Sequence, residues 1–140
     1  MPDVGPPLKS PPRPRPAAEH FAVDVRYGDR AAAWISPRGE LDLASAPQLE
    51  HAVQAALSCA LLIVIDLSEL TFCDCTGLRL LVETDARARR SRRRLVIVRG
   101  PVQIDRLFAL VGLDERLEII DLPPVLAPAP EAPAHWPSVA

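Results

Sequence analysis

A short segment between two apolar runs holds the side chains that could do chemistry. The segment FCDCTG contains one carboxylate (Asp74), two thiols (Cys73 and Cys75), one hydroxyl (Thr76) and a glycine, Gly77. An apolar strand pattern precedes it and a helical pattern follows it. An acid and a hydroxyl at the start of a helix are compatible with four uses: nucleophilic catalysis, metal binding, helix capping and covalent modification.

The histidines are poorly placed to act as general bases. His20 and His135 lie in or beside the ends of the chain, and His51 lies on a predicted helix. Nucleophilic catalysis needs a base within reach of the nucleophile, so we expect no catalytic residue and no enzyme activity. A helix N-terminus can lower the pKa of a thiol, which keeps a thiol redox role of Cys73 and Cys75 open as an alternative.

The two thiols do not have the spacing of a metal site. Cys-x-Cys differs from the Cys-x-x-Cys of zinc sites, and the chain has no second ligand pair. Neither glycine-rich phosphate loop, Gly-x-Gly-x-x-Gly or Gly-x-x-x-x-Gly-Lys, occurs. We therefore expect no metal and no cofactor. An odd number of cysteines, three, also argues against a disulfide framework.

The segment RARRSRRR, residues 87–94, carries six arginines. It could bind nucleic acid, or it could be the solvated end of a helix, where cations complement the helix dipole. No aromatic residue interleaves with the arginines, which favours the helix end. The formal net charge of −2 also points to neither a nucleic acid nor an anionic membrane surface. We therefore expect neither a nucleic acid nor a membrane as the partner.

Proline is concentrated at the two ends of the chain. Seven of the 16 prolines fall in residues 1–20 and six in residues 123–140, so both ends are predicted to be disordered tails. The folding unit is then residues 21–122, a common size for one domain. The N-terminal residues have no apolar stretch of a secretory signal, and the longest apolar run, residues 60–65, is too short to span a bilayer. We expect a cytoplasmic protein without a membrane partner.

The hydrophobic pattern predicts the strands that must position the FCDCTG segment. The predicted strands are residues 21–27, 31–36, 61–65, 95–98 and 117–120. The first two form a hairpin around a Gly-Asp-Arg turn, and Pro37 and Gly39 end the second of them. The third and fourth are apolar throughout, as in central strands that are covered on both faces.

Three amphipathic helices are predicted between these strands. The first begins at Ser45, with Gln48 three residues later as in a capping box. Its apolar face consists of Leu49, Ala52, Val53, Ala56 and Leu57. The second spans residues 77–90, and the third ends at Gly112.

The order β-β-α-β-α-β-α-β predicts a small α/β domain. Its mixed sheet of four to five strands starts with the hairpin and continues with strand–helix–strand units, which pair in parallel through right-handed crossovers. Capping alone accounts for Asp74 or Thr76 at the start of the second helix, because their oxygens accept from free N–H groups. The residue types therefore leave a cap and a modification site both open.

Two segments resemble those of STAS domains, the anti-sigma-factor antagonist family. LIVIDLSELTFCDCTGLRLL is similar to the family signature: an apolar strand, Asp-Leu-Ser, a turn, an aromatic residue, and Asp-x-Ser/Thr-Gly-Leu that opens a helix. GELDLASAPQLEHAV is similar to the recurrent Gly-Glu-Leu-Asp segment before the first helix. The segments occur in the family's order and spacing, and the resemblance covers about residues 21–122.

The resemblance implies a regulatory function. In the antagonist branch, a serine/threonine kinase that is also an anti-sigma factor phosphorylates the hydroxyl residue before the glycine, which corresponds to Thr76. The unphosphorylated form binds this kinase and releases a sigma factor, and phosphorylation blocks binding. The implied partner-binding residues are Asp42, Asp74, Cys75, Gly77 and Leu78. We expect a monomer or a weak dimer.

The chain departs from the commonest form of the family at two positions. Thr76 replaces serine, and Cys75 stands where a small hydroxyl residue is frequent. Threonine keeps the hydroxyl, although its methyl group could slow a kinase that prefers serine. An alternative that keeps the fold is a non-phosphorylated accessory subunit of a lipid-transport ATPase or of a stress-sensing complex.

Overall fold

Six strands and three α-helices follow one another in residues 21–121, which are the residues that the computed structural model describes. They are β1 (Phe21–Gly28), β2 (Ala32–Leu41), α1 (Ala46–Leu57), β3 (Leu62–Asp66), β4 (Leu70–Cys73), α2 (Cys75–Arg90), β5 (Arg94–Val98), α3 (Val102–Val111) and β6 (Ile119–Ile120). The predicted order is confirmed except for the added strand β4. The two proline-rich ends, predicted to be disordered, lie outside the described residues.

The strands form a mixed sheet in the order β1-β2-β3-β5-β6, with β4 also paired to β2. The hairpin pair β1–β2 is antiparallel, and every other pair is parallel. This confirms the predicted α/β class and the parallel pairing of the strand–helix–strand units. The described part of the chain has six strands rather than four or five, because β4 adds one.

Strand β2 is longer than predicted because a bulge, and not a strand end, lies at Gly39. The backbone φ of Gly39 is 102°, a conformation that glycine adopts readily, and the pairing register with β4 shifts between Gly39 and Glu40. The prediction that Pro37 and Gly39 end the strand was therefore wrong. Pro37 lies between the residues of β2 that pair with β3 and those that pair with β4, so its missing N–H breaks neither pairing.

The main core lies between one face of the sheet and the three helices. Its members from the strands include Ile35, Ile63, Ile65 and Ile97, and its members from the helices include Leu49, Val53, Leu81 and Phe108. The predicted apolar face of α1 is confirmed: Leu49, Val53 and Ala56 are buried, and Ala52 and Leu57 pack against the core.

A second, smaller cluster lies on the opposite face of the sheet. Trp34, Val64 and Val98, here called the rear cluster, come from three neighbouring strands, and Leu62 and Ile120 pack against them. The strands β3 and β5 are therefore apolar on both faces, as predicted from their continuous apolar runs.

The predicted helix ends are only partly confirmed. Ser45 is the N-cap residue of α1, but its side chain makes no capping hydrogen bond, so the predicted capping box with Gln48 was wrong. The Ser45 hydroxyl donates instead to the carbonyl of Glu40, at 2.7 Å. Gly112 ends α3 in the left-handed conformation, with φ of 80°, as predicted.

The arginine segment forms the C-terminal end of α2 and the start of β5, and three of its six guanidinium groups are ion-paired. Ion pairs join Arg87 to Glu50, Arg89 to Asp85 and Arg94 to Glu118, and Arg93 donates to the carbonyl of Ala60. This arrangement fits the predicted solvated helix end. Among the helices of residues 21–121, none combines the length and the apolar character needed to cross a bilayer.

Candidate functional site

Two acidic residues leave the sheet side by side at the ends of β2 and β4. Leu41 and Cys73 are paired in these parallel strands, and Asp42 and Asp74 are the residues that follow them. The N–H of Asp74 also donates to the carbonyl of Leu41, at 3.1 Å. The unpredicted strand β4 therefore brings together the two segments that carried the family resemblance.

Asp74 caps helix α2. Its backbone is extended, with φ of −103° and ψ of −171°, and its Oδ1 accepts from the N–H of Gly77 at 3.1 Å. The carboxylate thus satisfies one of the free N–H groups of the first turn. The choice between Asp74 and Thr76 as the capping residue is settled in favour of Asp74.

We expect Asp74→Ala to lower the free energy of unfolding by about 1 kcal/mol, because the N–H of Gly77 loses its acceptor. Urea denaturation of the variant and of the unmodified protein would measure the difference. Asp74→Asn is the matched control, since its amide oxygen can still accept and should retain most of the stability. An Ala variant as stable as the unmodified protein would contradict the capping role.

The hydroxyl of Thr76 takes no part in capping helix α2. It lies in the first turn of α2, and its side chain is partly exposed. Within residues 21–121 its hydroxyl makes no hydrogen bond. A hydroxyl that is accessible and not engaged is available to a modifying enzyme.

The loop after β2 is ordered by its own side chains. Asp42 Oδ1 accepts from the N–H groups of Ala44 and Ser45, each at 3.0 Å, and the Ser45 hydroxyl accepts from the N–H of Asp42 at 2.9 Å. These bonds form an Asx-type turn before α1. The turn holds Leu43 outward, with 74% of its surface exposed.

Gly77 and Leu78, which the resemblance implied as partner contacts, lie under the surface. Both are buried, and Leu78 is 7% exposed. A Cβ atom on Gly77 would lie 2.7 Å from the sulfur of Cys73 and 2.8 Å from Cγ of Leu41. A glycine is therefore needed here for the close approach of α2 to β2 and β4. In this conformation both residues are buried in the described domain, and their implied contact with a partner stays a prediction.

Exposed apolar side chains accompany the two acids, and two of them, Leu43 and Phe72, were not among the residues predicted from the sequence. Leu43 follows Asp42 directly, and Phe72, which is 47% exposed, lies two residues before Asp74. Cys75, the first residue of α2, is also exposed. Leu43 could have been found from the sequence, because a large apolar residue in the short loop between β2 and α1 is a sign of an exposed apolar side chain. Apolar groups beside charges are typical of protein-binding surfaces.

Cys73 is unsuited to thiol chemistry. Its side chain is buried, and burial, together with the nearby Asp74 and Cys75, raises the pKa of the Cys73 thiol to about 12. Because the thiolate is the reactive form, Cys73 is inert at neutral pH. All three cysteines are free, and residues 21–121 contain no cluster of side chains that could hold a metal ion. These findings disfavour the redox alternative.

We expect a thiol reagent to modify Cys59 and Cys75 rapidly in the native protein and Cys73 only after unfolding. The reason is exposure: Cys59 and Cys75 are exposed, whereas Cys73 is 4% exposed. Peptide mapping by mass spectrometry after timed alkylation would give the order of modification. Modification of Cys73 at the same rate as Cys75 in native conditions would show that the Cys73 thiol is not buried.

The comparison with protein families gives one match over most of the chain. A family model described as "Mlab, STAS domain" matches residues 28–124. Two curated relatives are 27% identical to this chain over 101 residues, and each alignment covers 71% of this chain and 89% of the relative. Both are named "Anti-sigma-B factor antagonist", and they come from Listeria monocytogenes serovar 1/2a and Listeria innocua serovar 6a.

Solved structures show the same architecture. An anti-sigma factor antagonist from Mycobacterium paratuberculosis is 27% identical, with a TM-score of 0.67 over 74% of this chain and 88% of that chain. The antagonist SpoIIAA in its unphosphorylated form is 20% identical, with a TM-score of 0.64 over 74% of this chain and 90% of that chain, and it supports the fold alone. With its mixed sheet, its acid-capped helix α2 and the family match over residues 28–124, the chain belongs to the STAS domain family.

Proposed function

We propose that this protein is an anti-sigma factor antagonist and that phosphorylation of Thr76 switches it off. The main support is the geometry at the start of α2. Asp74 caps the helix, whereas the side chain of Thr76 is partly exposed and its hydroxyl makes no hydrogen bond within residues 21–121. The names of the Listeria and Mycobacterium relatives support the antagonist function.

The docking surface in this proposal consists of Asp42, Leu43, Asp74, Cys75 and Thr76. Two carboxylates lie beside exposed apolar groups, and no lysine or arginine lies among these five positions. Such a surface fits a partner that presents basic and apolar side chains, since complementary charge orients docking and apolar burial contributes affinity. The unphosphorylated protein binds an anti-sigma factor through this surface and thereby releases a sigma factor.

Phosphorylation changes the charge of this surface without a need to unfold it. A phosphate adds about −1.5 to −2 charges at neutral pH, beside the existing carboxylates of Asp42 and Asp74. The free N–H groups of the first helical turn tolerate an anion there, so the helix stays folded. A docked partner would, however, have to desolvate this concentrated negative charge, and the complex loses affinity.

Arg79 is the nearest basic residue along α2. It follows Thr76 by three positions, which places both on one side of the helix, and its side chain is exposed. Arg79 therefore has the position to meet the kinase or to contact the phosphate once it is present. ATP belongs to the kinase in this proposal, and the antagonist is its substrate rather than an enzyme.

Incubation of the purified full-length chain with a candidate anti-sigma kinase and ATP tests the proposal directly. Mass spectrometry should locate one phosphate on the peptide that contains Thr76. The peptide map must separate Thr76 from Thr71, an exposed hydroxyl five residues earlier. We expect Thr76→Val to abolish the modification and Thr71→Val to leave it unchanged, and a phosphate retained in Thr76→Val would overturn the assignment.

The accessory-subunit alternative uses the same surface without a phosphate. It predicts that Thr76 stays unmodified with every kinase that accompanies the protein, while a partner still binds at the Asp42–Asp74 surface. Recovery of partners from native lysate, with and without phosphatase treatment, separates the two functions. Phosphatase should increase recovery of the anti-sigma factor only if the switch operates.

A further inference from the structure

The face of the sheet opposite the helices carries an apolar strip. Trp34 of β2, Val64 of β3 and Val98 of β5 form the rear cluster, and Leu62 and Ile120 pack against it. All of these residues come from strands, whereas the helix residues of the core belong to the cluster on the other face. Within residues 21–121, no helix contributes to the rear cluster.

The rear cluster is nevertheless well shielded from solvent. Val98 is 1% exposed, Val64 is 7% exposed and Trp34 is 9% exposed. A sheet normally buries an apolar face against a second layer, because an α/β domain with both faces apolar needs a cover on each. The main core has its cover in the three helices, and the rear cluster requires a cover of another kind.

We propose that the segment directly after the last described residue, Leu122-Pro123-Pro124-Val125-Leu126, lies across the rear cluster as an extended strap. The chain leaves the described region at this face, since Ile120 of β6 itself packs against the cluster and Asp121 is the last described residue. Three of the five residues in the strap are Leu or Val, and the other two are prolines. The strap therefore begins beside the surface that it would cover.

The length of the strap matches the width of the strip. From β6 to β2 the sheet order crosses three strand spacings, about 14 Å in total at about 4.8 Å each. An extended proline-rich segment advances about 3.1 Å per residue, so five residues span about 15 Å. Leu126 can then reach the level of Trp34, and prolines in this conformation pack well on aromatic rings.

The N-terminal segment is less well placed to be the cover. It enters the sheet at Phe21, on the edge strand β1, and Phe21 belongs to the core on the helical face. Phe21 is paired with Gly39, whereas Arg26 is paired with Trp34, so the entry point lies five residues, or about 17 Å, along the strand from the rear cluster. The four residues before Phe21 are Ala, Ala, Glu and His, which offer little apolar surface.

Tryptophan fluorescence can test the strap in the full-length chain. The protein has two tryptophans, Trp34 and Trp136, so Trp136→Phe leaves Trp34 as the single reporter. In this background we expect Leu122→Ser with Val125→Ser and Leu126→Ser to shift the Trp34 emission to longer wavelength. Quenching of Trp34 by acrylamide should increase several-fold. Val4→Ser with Leu8→Ser, in the N-terminal segment, is the matched control and should change neither quantity.

Several outcomes would overturn the strap. Emission and quenching that stay unchanged in the triple variant would show that another element covers Trp34, and a change in the N-terminal control would assign the cover to that end. Quenching that depends on protein concentration would assign it to a second copy of the chain. Circular dichroism must show a folded triple variant; if it unfolds, Leu126→Ser alone should shift the same signals by a smaller amount, and no shift would reject the proposal.

Discussion

Full-length protein carrying Thr76→Asp is expected to bind its anti-sigma factor about a hundredfold more weakly than protein carrying Thr76→Ala, which corresponds to about 2.7 kcal/mol. The aspartate adds a third carboxylate to a surface that already holds Asp42 and Asp74, and docking must remove water from all three. Alanine removes the hydroxyl and adds no charge, so it should bind like the unmodified protein. Isothermal titration calorimetry with the purified partner would measure both dissociation constants.

Two controls separate local charge from other effects. Ser91→Asp places the same charge on an exposed residue at the far end of α2, about 22 Å along the helix axis from Thr76, and should leave binding unchanged. Thr76→Ser keeps the hydroxyl and should preserve both binding and phosphorylation. Equal affinity of the Asp and Ala variants at position 76 would count against the charge switch, although the STAS fold would stand.

Gly77→Val is expected to cause the largest loss of stability of any substitution at the site, about 3 kcal/mol or more. Even the single Cβ of an alanine at this position would lie within 3 Å of side-chain atoms of Cys73 and Leu41, both of which are buried. The extra methyl groups of valine would force α2 away from β2 and β4. Because small domains are stable by about 5–15 kcal/mol, urea denaturation should show a clearly lower midpoint.

Smaller substitutions show whether the close approach is the cause. Gly77→Ala should destabilise less than valine, and adding Cys73→Ala should restore part of the loss, because it removes the sulfur atom 2.7 Å from the new Cβ. Cys75→Ala, at an exposed neighbouring position, should stay within about 0.5 kcal/mol of the unmodified protein. A valine variant that unfolds at the same urea concentration as the unmodified protein would rule out tight packing at Gly77.

Strong periodic patterns made most of the fold predictable from the sequence. The apolar face of α1, the continuous apolar runs of β3 and β5, and the glycine after α3 each produce a local signal of sufficient length. Strand β4 has only four residues, and its exposed pair Thr71 and Phe72 interrupts the alternation. It forms because β2 continues past Gly39 and offers an edge to pair with, which is information from distant parts of the chain.

The site was predictable in composition but not in detail. The family motif pointed to Asp42, Asp74 and Thr76, and the structure places the two acids on adjacent strand ends. Which oxygen caps the helix depends on the backbone angles of Asp74, which residue types alone do not specify. The burial of Gly77 and Leu78 depends on how closely α2 approaches the sheet, so their supporting position was visible only in three dimensions.

The bulge at Gly39 gives β2 two partners, with β3 beside its first half and β4 beside its second. The first half of β2 thus pairs within the central sheet, and its second half, together with β4, positions the two loops that carry Asp42 and Asp74. The exposed residues Leu43 and Cys75, which follow the ends of β2 and β4, can be exchanged in directed evolution to retarget the proposed docking surface, while the alignment of Ala32–Ile35 with Leu62–Ile65 is left intact. A scaffold with this division can change its specificity at little risk to its foldability.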